Sequence, residues 1–275
     1  MPSPGRSGRL RTLLNIVTEG AGAMVKIRVI TPLCSMSDQM TEDTMAEVRP
    51  LEKIGIFCDN VTIGQGPDSI ESHFDEAFSA PFVAIEAMKA ERDGMDGVII
   101  DCMGDPGMMA AREAVSIPVV GPGEAAMHMA AMMGNRFSCI SITDSVRPIF
   151  FAHARVYGVA DKLASVRVIN MPLQLIEESP EKTFDGLYAE SVNAIRMDLA
   201  DTLILGCTGF VGIAERLQNK IGDELGVSVP VINPLPTAAL MAAMMAQGGL
   251  SHSLHAYHRP NLKKKIVGFD IPGAG

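Results

Sequence analysis

The 275-residue chain has no tryptophan, only three tyrosines and an aromatic content of 5%. Platforms for stacking nucleobases or flat glycans are therefore scarce. It has no excess of positive charge: the formal net charge of −9 argues against nucleic acid or an anionic membrane as the main partner. No uninterrupted apolar run reaches the roughly 20 residues of a membrane span. The five cysteines (34, 58, 102, 139, 207) are scattered, odd in number and free of CxxC spacing. That pattern excludes a disulfide framework and a structural zinc site, and fits a reducing, cytoplasmic setting. Gly64-Gln65-Gly66-Pro67-Asp68-Ser69 is too irregular for a phosphate-binding fingerprint.

What is present is an ordinary globular composition, 47% hydrophobic and 20% charged, long enough for one large α/β domain or two small ones. The abundant methionine and alanine read as helix-packing filler. Residues 1–24 carry Pro, Gly, Ser and three arginines before any acid, the outline of an organellar leader without the apolar core of a secretory signal. They read as a disordered or spurious extension that ends at a natural start, Met24.

The organising stretch is Asp101-Cys102-Met103-Gly104-Asp105-Pro106-Gly107. It follows Gly97-Val98-Ile99-Ile100, a buried-strand pattern, and precedes a helical pattern over Met108–Val115. Asp105 reads as the N-cap of that helix and Pro106 as its first residue. Cys102 is then expected at the carboxyl end of a strand, facing the positive end of a helix, where a thiolate is favoured. Thr202–Leu205 with Gly206-Cys207-Thr208-Gly209-Phe210 repeats the arrangement, followed by a helix over Val211–Leu217.

The rest of the chain alternates strand and helix. Ile27–Thr31 is a first strand ended by Pro32, a helix contains Asp38–Val48, and a second strand lies near Ile54–Cys58 or Val61–Ile63. A helix over Ser79–Arg92 leads to the Cys102 strand, then Ile117–Pro122 and a helix through Met133. The order restarts with strands at Arg136–Ile142 and Ser165–Asn170 and a helix over Phe184–Asp198. SIPVVGPGEAAMHMAAMM (116–133) recurs as SVPVINPLPTAALMAAMM (228–245), so the chain reads as an internal duplication. The expected fold is α/β: two pseudo-twofold-related, flavodoxin-like parallel-sheet domains, one from 25–122 plus 235–275 and the other from 123–234. Ligands in such folds lie beyond the carboxyl ends of the strands, so both cysteines are expected to look into one cleft between the domains.

GPDSIES (66–72), CMGDPG (102–107), PVVGPGEAAMH (118–128), RFS (136–138), Arg155 with Tyr157-Gly158, ASVR (164–167) and LGCTG (205–209) together resemble the aspartate/glutamate/hydantoin racemase superfamily, most closely its hydantoin and allantoin branch. The resemblance covers nearly all of 25–262. It implies a cofactor-independent, metal-free isomerase in which one cysteine thiolate removes the proton at the chiral carbon and the opposite thiol delivers one to the other face. Cys102 and Cys207 are the implied pair, acting on a small molecule with an acidic C–H beside a carbonyl, a hydantoin or related ureide. Thr31, Ser35, Gly104, Asp105, Ser141, Thr208 and Gly209 are the implied substrate contacts, with turn N–H groups at Gly104–Asp105 and Gly206–Gly209 as enolate donors. The family's Asn-Pro-Asn-Thr-Ser after the first strand is replaced by Thr31-Pro32-Leu33-Cys34-Ser35, and its paired threonines and arginine align with Ser141, Ile142 and Ser145. Alternatives on the same fold are a maleate-isomerase-like enzyme, a decarboxylase, or a non-catalytic protein that binds a small acid. A homo-oligomer is expected.

Seven further residues carry open or neutral readings. Cys34 is a pocket wall or a spectator, and Glu124 orients substrate or caps its helix. Cys139 reads as core and His128 as a hydrogen-bonded packing residue. His252, His255 and His258 have a spacing that suggests a metal, but they lie in a polar tail and read as solvated.

Overall fold

The computed structural model describes residues 24–171, 173–261 and 266–273. The expected extension 1–24 lies outside the described residues except for Met24, as do Lys263–Lys265 of the tail. The first half comprises β1 (Val25–Thr31), α1 (Asp38–Val48), β2 (Ile56–Thr62), α2 (His73–Arg92), β3 (Gly97–Ile100), α3 (Met108–Ala114), β4 (Val119–Val120) and α4 (Pro122–Met133). The second comprises β5 (Phe137–Ser141), α5 (Arg147–Val156), β6 (Leu163–Val168), α6 (Leu173–Glu178), α7 (Pro180–Met197), β7 (Thr202–Leu205), α8 (Ile213–Leu225) and β8 (Val231–Ile232). Helix α9 (Pro234–Gln247) follows.

Two four-stranded sheets result, both wholly parallel, in the orders β2-β1-β3-β4 and β6-β5-β7-β8. The expected architecture of two related parallel-sheet units is therefore the observed one. Strands β3 and β7, GVII and TLIL, are buried at every position because helices cover both faces of each sheet. The two candidate positions for the second strand turn out to be parts of one strand. Its polar middle residues are used on the neighbour: Asp59 pairs with Arg28, and Asn60 donates to the Thr31 hydroxyl at 2.8 Å.

Helix α9 returns to the first sheet, where Leu235, Ala238, Ala239 and Ala242 share a core with Val25, Ile27, Val29 and Ile99. Small side chains suit that approach: a Cβ on Gly97 would be in van der Waals contact with that of Ala242, at 3.7 Å. Helix α4 straddles the halves, placing Ala125 in the first core and Ala126, Met127 and Ala130 in the second. Met103, from the Cys102 turn, is also packed into the second core.

The turn before α3 differs from expectation. The helix starts at Met108, with Gly107 at the N-cap in a left-handed conformation (φ 73°). Gly107 is forced there by close packing, since a Cβ would sit 2.7 Å from the Ala80 carbonyl oxygen. Asp105 caps a different helix: its carboxylate accepts the N–H groups of Gly123 (2.9 Å) and Glu124 (2.8 Å) in the first turn of α4, and the Tyr157 hydroxyl at 2.7 Å. The tail also departs from expectation. His252 is half-buried and its Nε2 accepts the N–H of Val119 at 2.9 Å, supplying the partner that the edge strand β4 lacks. Burial lowers its pKa to about 4, so it stays neutral there. His255 and His258 are exposed.

Candidate active site

Each cysteine sits two residues past the end of the strand next to the centre of its sheet. Each sulfur accepts the N–H of the residue two positions on: Gly104 to Cys102 Sγ and Gly209 to Cys207 Sγ, both at 3.4 Å. Both turns are anchored to the central strands. The Thr31 hydroxyl donates to Asp101 Oδ2 at 3.1 Å and the Ser141 hydroxyl donates to the Gly206 carbonyl at 2.8 Å. The two turns also touch, through the Thr208 hydroxyl and the Asp101 carbonyl at 3.4 Å. Cys102 and Cys207 border one cavity of about 680 Å³ at the carboxyl ends of the two sheets.

Gly206 shows why glycine is required beside the second thiol. A Cβ there would lie 2.6 Å from the Cβ of Ser141 and 2.8 Å from the carbonyl of Ile140, atoms of the adjacent strand that cannot move aside.

Thr31, Gly104, Ser141, Thr208 and Gly209 line the cavity. Ser35 is exposed and Asp105 is turned toward α4, so both lie outside its wall. Cys34 is half-buried and also outside the wall, with its N–H bonded to the Pro67 carbonyl at 2.9 Å. Cys58 and Cys139 are buried in the two cores. Glu124 does neither of the two jobs weighed for it; it pairs with the buried guanidinium of Arg112. His128 is half-buried on α4.

Electrostatics reverse the expectation of a resting thiolate. Burial pushes the Cys207 thiol up to about 12, against which the Gly209 N–H acts in the opposite sense. Burial also holds Cys102 well above the ordinary thiol value, opposed by the Gly104 N–H and reinforced by charge on Cys207, Glu76 and Asp105. A single N–H cannot offset loss of hydration for a thiolate. The expected enloate donors are also partly committed: the Asp105 and Gly206 N–H groups close onto the carbonyls of Cys102 (3.0 Å) and Ile140 (2.7 Å).

Three carboxyls missed by the sequence reading border the cavity: Asp43, Asp101 and Glu76. Asp101 is buried, and desolvation raises its pKa against nearby Thr208, Thr31 and Thr44 hydroxyls; its Oδ1 has no hydrogen-bond partner among the described residues. Glu76, from the first turns of α2, is raised by burial against the opposing effect of His73, and its Oε1 is likewise unpartnered. Asp101 stood in the quoted cysteine turn, whereas nothing in the local sequence marks Glu76. Arg216 is the one cation among the lining residues; it is half-exposed, pairs with Glu181 at 2.7 Å and lies over the Phe184 ring. Among the described residues no group of three or more His, Cys, Asp or Glu is arranged to hold a metal.

Compared with known proteins, the sequence matches the family model described as Asp/Glu/Hydantoin racemase over residues 27–242. The chain belongs to this family. A hydantoin racemase of Paenarthrobacter aurescens is 33% identical over 244 residues, covering 88% of this chain and all of that one. An allantoin racemase from Klebsiella pneumoniae superposes with a TM-score of 0.81 at 32% identity, covering 89% of this chain and 96% of that one. A glutamate racemase from Bacillus anthracis, 18% identical with a TM-score of 0.54 over 91% of this chain and 96% of its own, shares the fold. This member is an isomerase, a racemase of the hydantoin and allantoin branch.

Proposed function

We propose that this racemase interconverts the enantiomers of a hydantoin with an apolar 5-substituent, using Cys102 and Cys207 as opposed acid and base and no cofactor. The observation that carries the reading is the pair of matched thiol turns bordering one cavity. A thiolate on one side removes the C5 proton, and the electron pair delocalises into the adjacent ring carbonyl. The thiol on the other side then donates its proton to the opposite face. Burial makes each thiolate scarce but strongly basic, which suits a weak carbon acid.

The walls support the substrate class. Ile142, Val146, Ile149, Phe150 and Phe184 form an apolar side from the second half, suited to a hydrocarbon substituent. Arg216, which could pair with the carboxylate of a free amino acid, is already held by Glu181. A neutral ureide ring needs acceptors for its N–H groups, and Asp101 Oδ1 offers one.

The test is NMR in D₂O with single enantiomers of 5-isobutylhydantoin, allantoin and glutamate. The parent should exchange C5–H of the hydantoin and racemise it. Cys102→Ser should exchange only the enantiomer that Cys207 deprotonates, Cys207→Ser only the other, and racemisation should fall by roughly 10³-fold or more in both. A decarboxylase would tolerate loss of one cysteine, and a binding protein would show no exchange in any variant. Racemisation at the parental rate in either variant overturns the proposal.

A further inference from the structure

The two-thiol reactions leave a proton in the wrong place. If Cys102 takes the substrate proton and Cys207 gives one up, product departs from an enzyme with Cys102 as thiol and Cys207 as thiolate. The next turnover in the same direction needs the reverse. A proton must therefore leave Cys102, and another must reach Cys207, before the enzyme can act again.

The structure holds a path for the first of these. Glu76 Oε1 is buried, has no hydrogen-bond partner among the described residues and faces the Cys102 turn. The position a Cβ on Gly104 would occupy is 2.3 Å from Glu76 Oε1 and 3.6 Å from Cys102 Sγ, so both atoms lie around one small gap. The second carboxyl oxygen, Oε2, is 2.8 Å from His73 Nδ1. The Glu76 side chain is 13% exposed and that of His73 is 62% exposed, so the pair runs from the cavity to solvent. The inner oxygen of the carboxyl finds no partner among the described residues, which is costly for a buried acceptor and calls for a compensating role.

We propose that Glu76 and His73 form the route by which the proton on Cys102 returns to solvent between turnovers. The inference rests on the two-thiol reading. The Cys102 S–H proton passes across the gap to the Glu76 carboxylate, leaving a thiolate and a carboxylic acid. The carboxylic acid group then turns over about its terminal C–C bond, which brings the protonated oxygen to His73, and passes the proton to Nδ1; His73 releases its Nε2 proton to water and regains the starting tautomer by exchange with solvent. Cys207 takes its proton from water in the cleft, so the enzyme's net charge is unchanged over the cycle.

Return of the free enzyme to its starting form contributes to kcat but not to kcat/KM, which separates this role from a structural one. The experiment follows racemisation of single enantiomers of 5-isobutylhydantoin from low to saturating concentration, with added imidazole as the external proton carrier. His73→Ala, at an exposed position, should lower kcat about tenfold with kcat/KM within about twofold, and imidazole should restore kcat. Glu76→Gln should show the same fall in kcat, with no rescue, because the break lies inside the cavity. Parental kcat in both variants overturns the route, as does a joint fall of kcat and kcat/KM that imidazole leaves unchanged. Failure of the two-thiol reading is read separately, from Cys102→Ser and Cys207→Ser.

Discussion

Raising the pH from 7 to 9 should increase kcat/KM about a hundredfold. In the proposed reaction the enzyme starts with one thiolate and one thiol, and burial places Cys207 at about 12 rather than the ordinary 9.0. At pH 8 such a group is ionised to about one part in 10⁴, against about one in ten for an ordinary thiol. The displacement corresponds to about 4 kcal/mol of lost hydration. Because the pKa lies above the whole accessible range, the thiolate fraction grows about tenfold with each pH unit and does not level off. No falling limb is expected, since the charge on one thiolate further opposes ionisation of the other. Polarimetry on both enantiomers between about pH 6.5 and 9.5 at fixed ionic strength would measure it, with circular dichroism as a check on the fold. The two directions must give equal kcat/KM at each pH, because the enantiomers have equal free energy. A plateau below pH 8, or a logarithmic slope under about one half, would refute the argument that desolvation governs these thiols.

Three other outcomes follow. Burial raises the Asp105 carboxyl to about 7, above its ordinary 3.8, so its protonation favours the folded state below about pH 4 and that contribution is lost as the pH rises through 7. The stability advantage of the parent over Asp105→Asn, from urea unfolding, should shrink by up to about 4 kcal/mol between pH 4 and 8; a constant difference would contradict this. Gly206→Ala, whose methyl would collide with Ser141 and Ile140, should cost about 1–3 kcal/mol and most of the activity, seen as a lowered urea midpoint with a lowered rate. Dialysis against a chelator should leave racemisation unchanged, and activity that is lost and then restored by a divalent ion would contradict the proposed cofactor-free reaction.

The parts of this molecule that were legible in the sequence are those set by local pattern. The β3 and β7 runs are apolar at every position because both faces are covered, and a cysteine and glycine follow each at the same distance. What was misread depends on residues distant in sequence. Asp105 has the form of a local cap, yet its N–H partners are 18 and 19 residues on, in another helix. His252 reads as tail, yet its partner is 133 residues away. The thiol ionisation was misjudged for the same reason, since a nearby helix is visible in sequence whereas burial comes from both halves closing over the turns. Glu76 looks like any acid in the first turns of a helix, and only the packing of α2 against the Gly104 turn brings it to the cavity.

Asp105 has a mechanical consequence as well as a chemical one. It ties the loop carrying Cys102 to the start of α4, the helix shared by both cores, and through Tyr157 to the end of α5 in the second half. Met103, one residue past Cys102, is wedged into that second core. A hinge at this side of the molecule would have to break three hydrogen bonds and expose a buried methionine at once. The gap between the two sulfurs is therefore fixed along this seam like the closed end of a clasp. Substrate must enter away from this seam, and among the lining residues Gln39 and Pro180 are exposed to solvent.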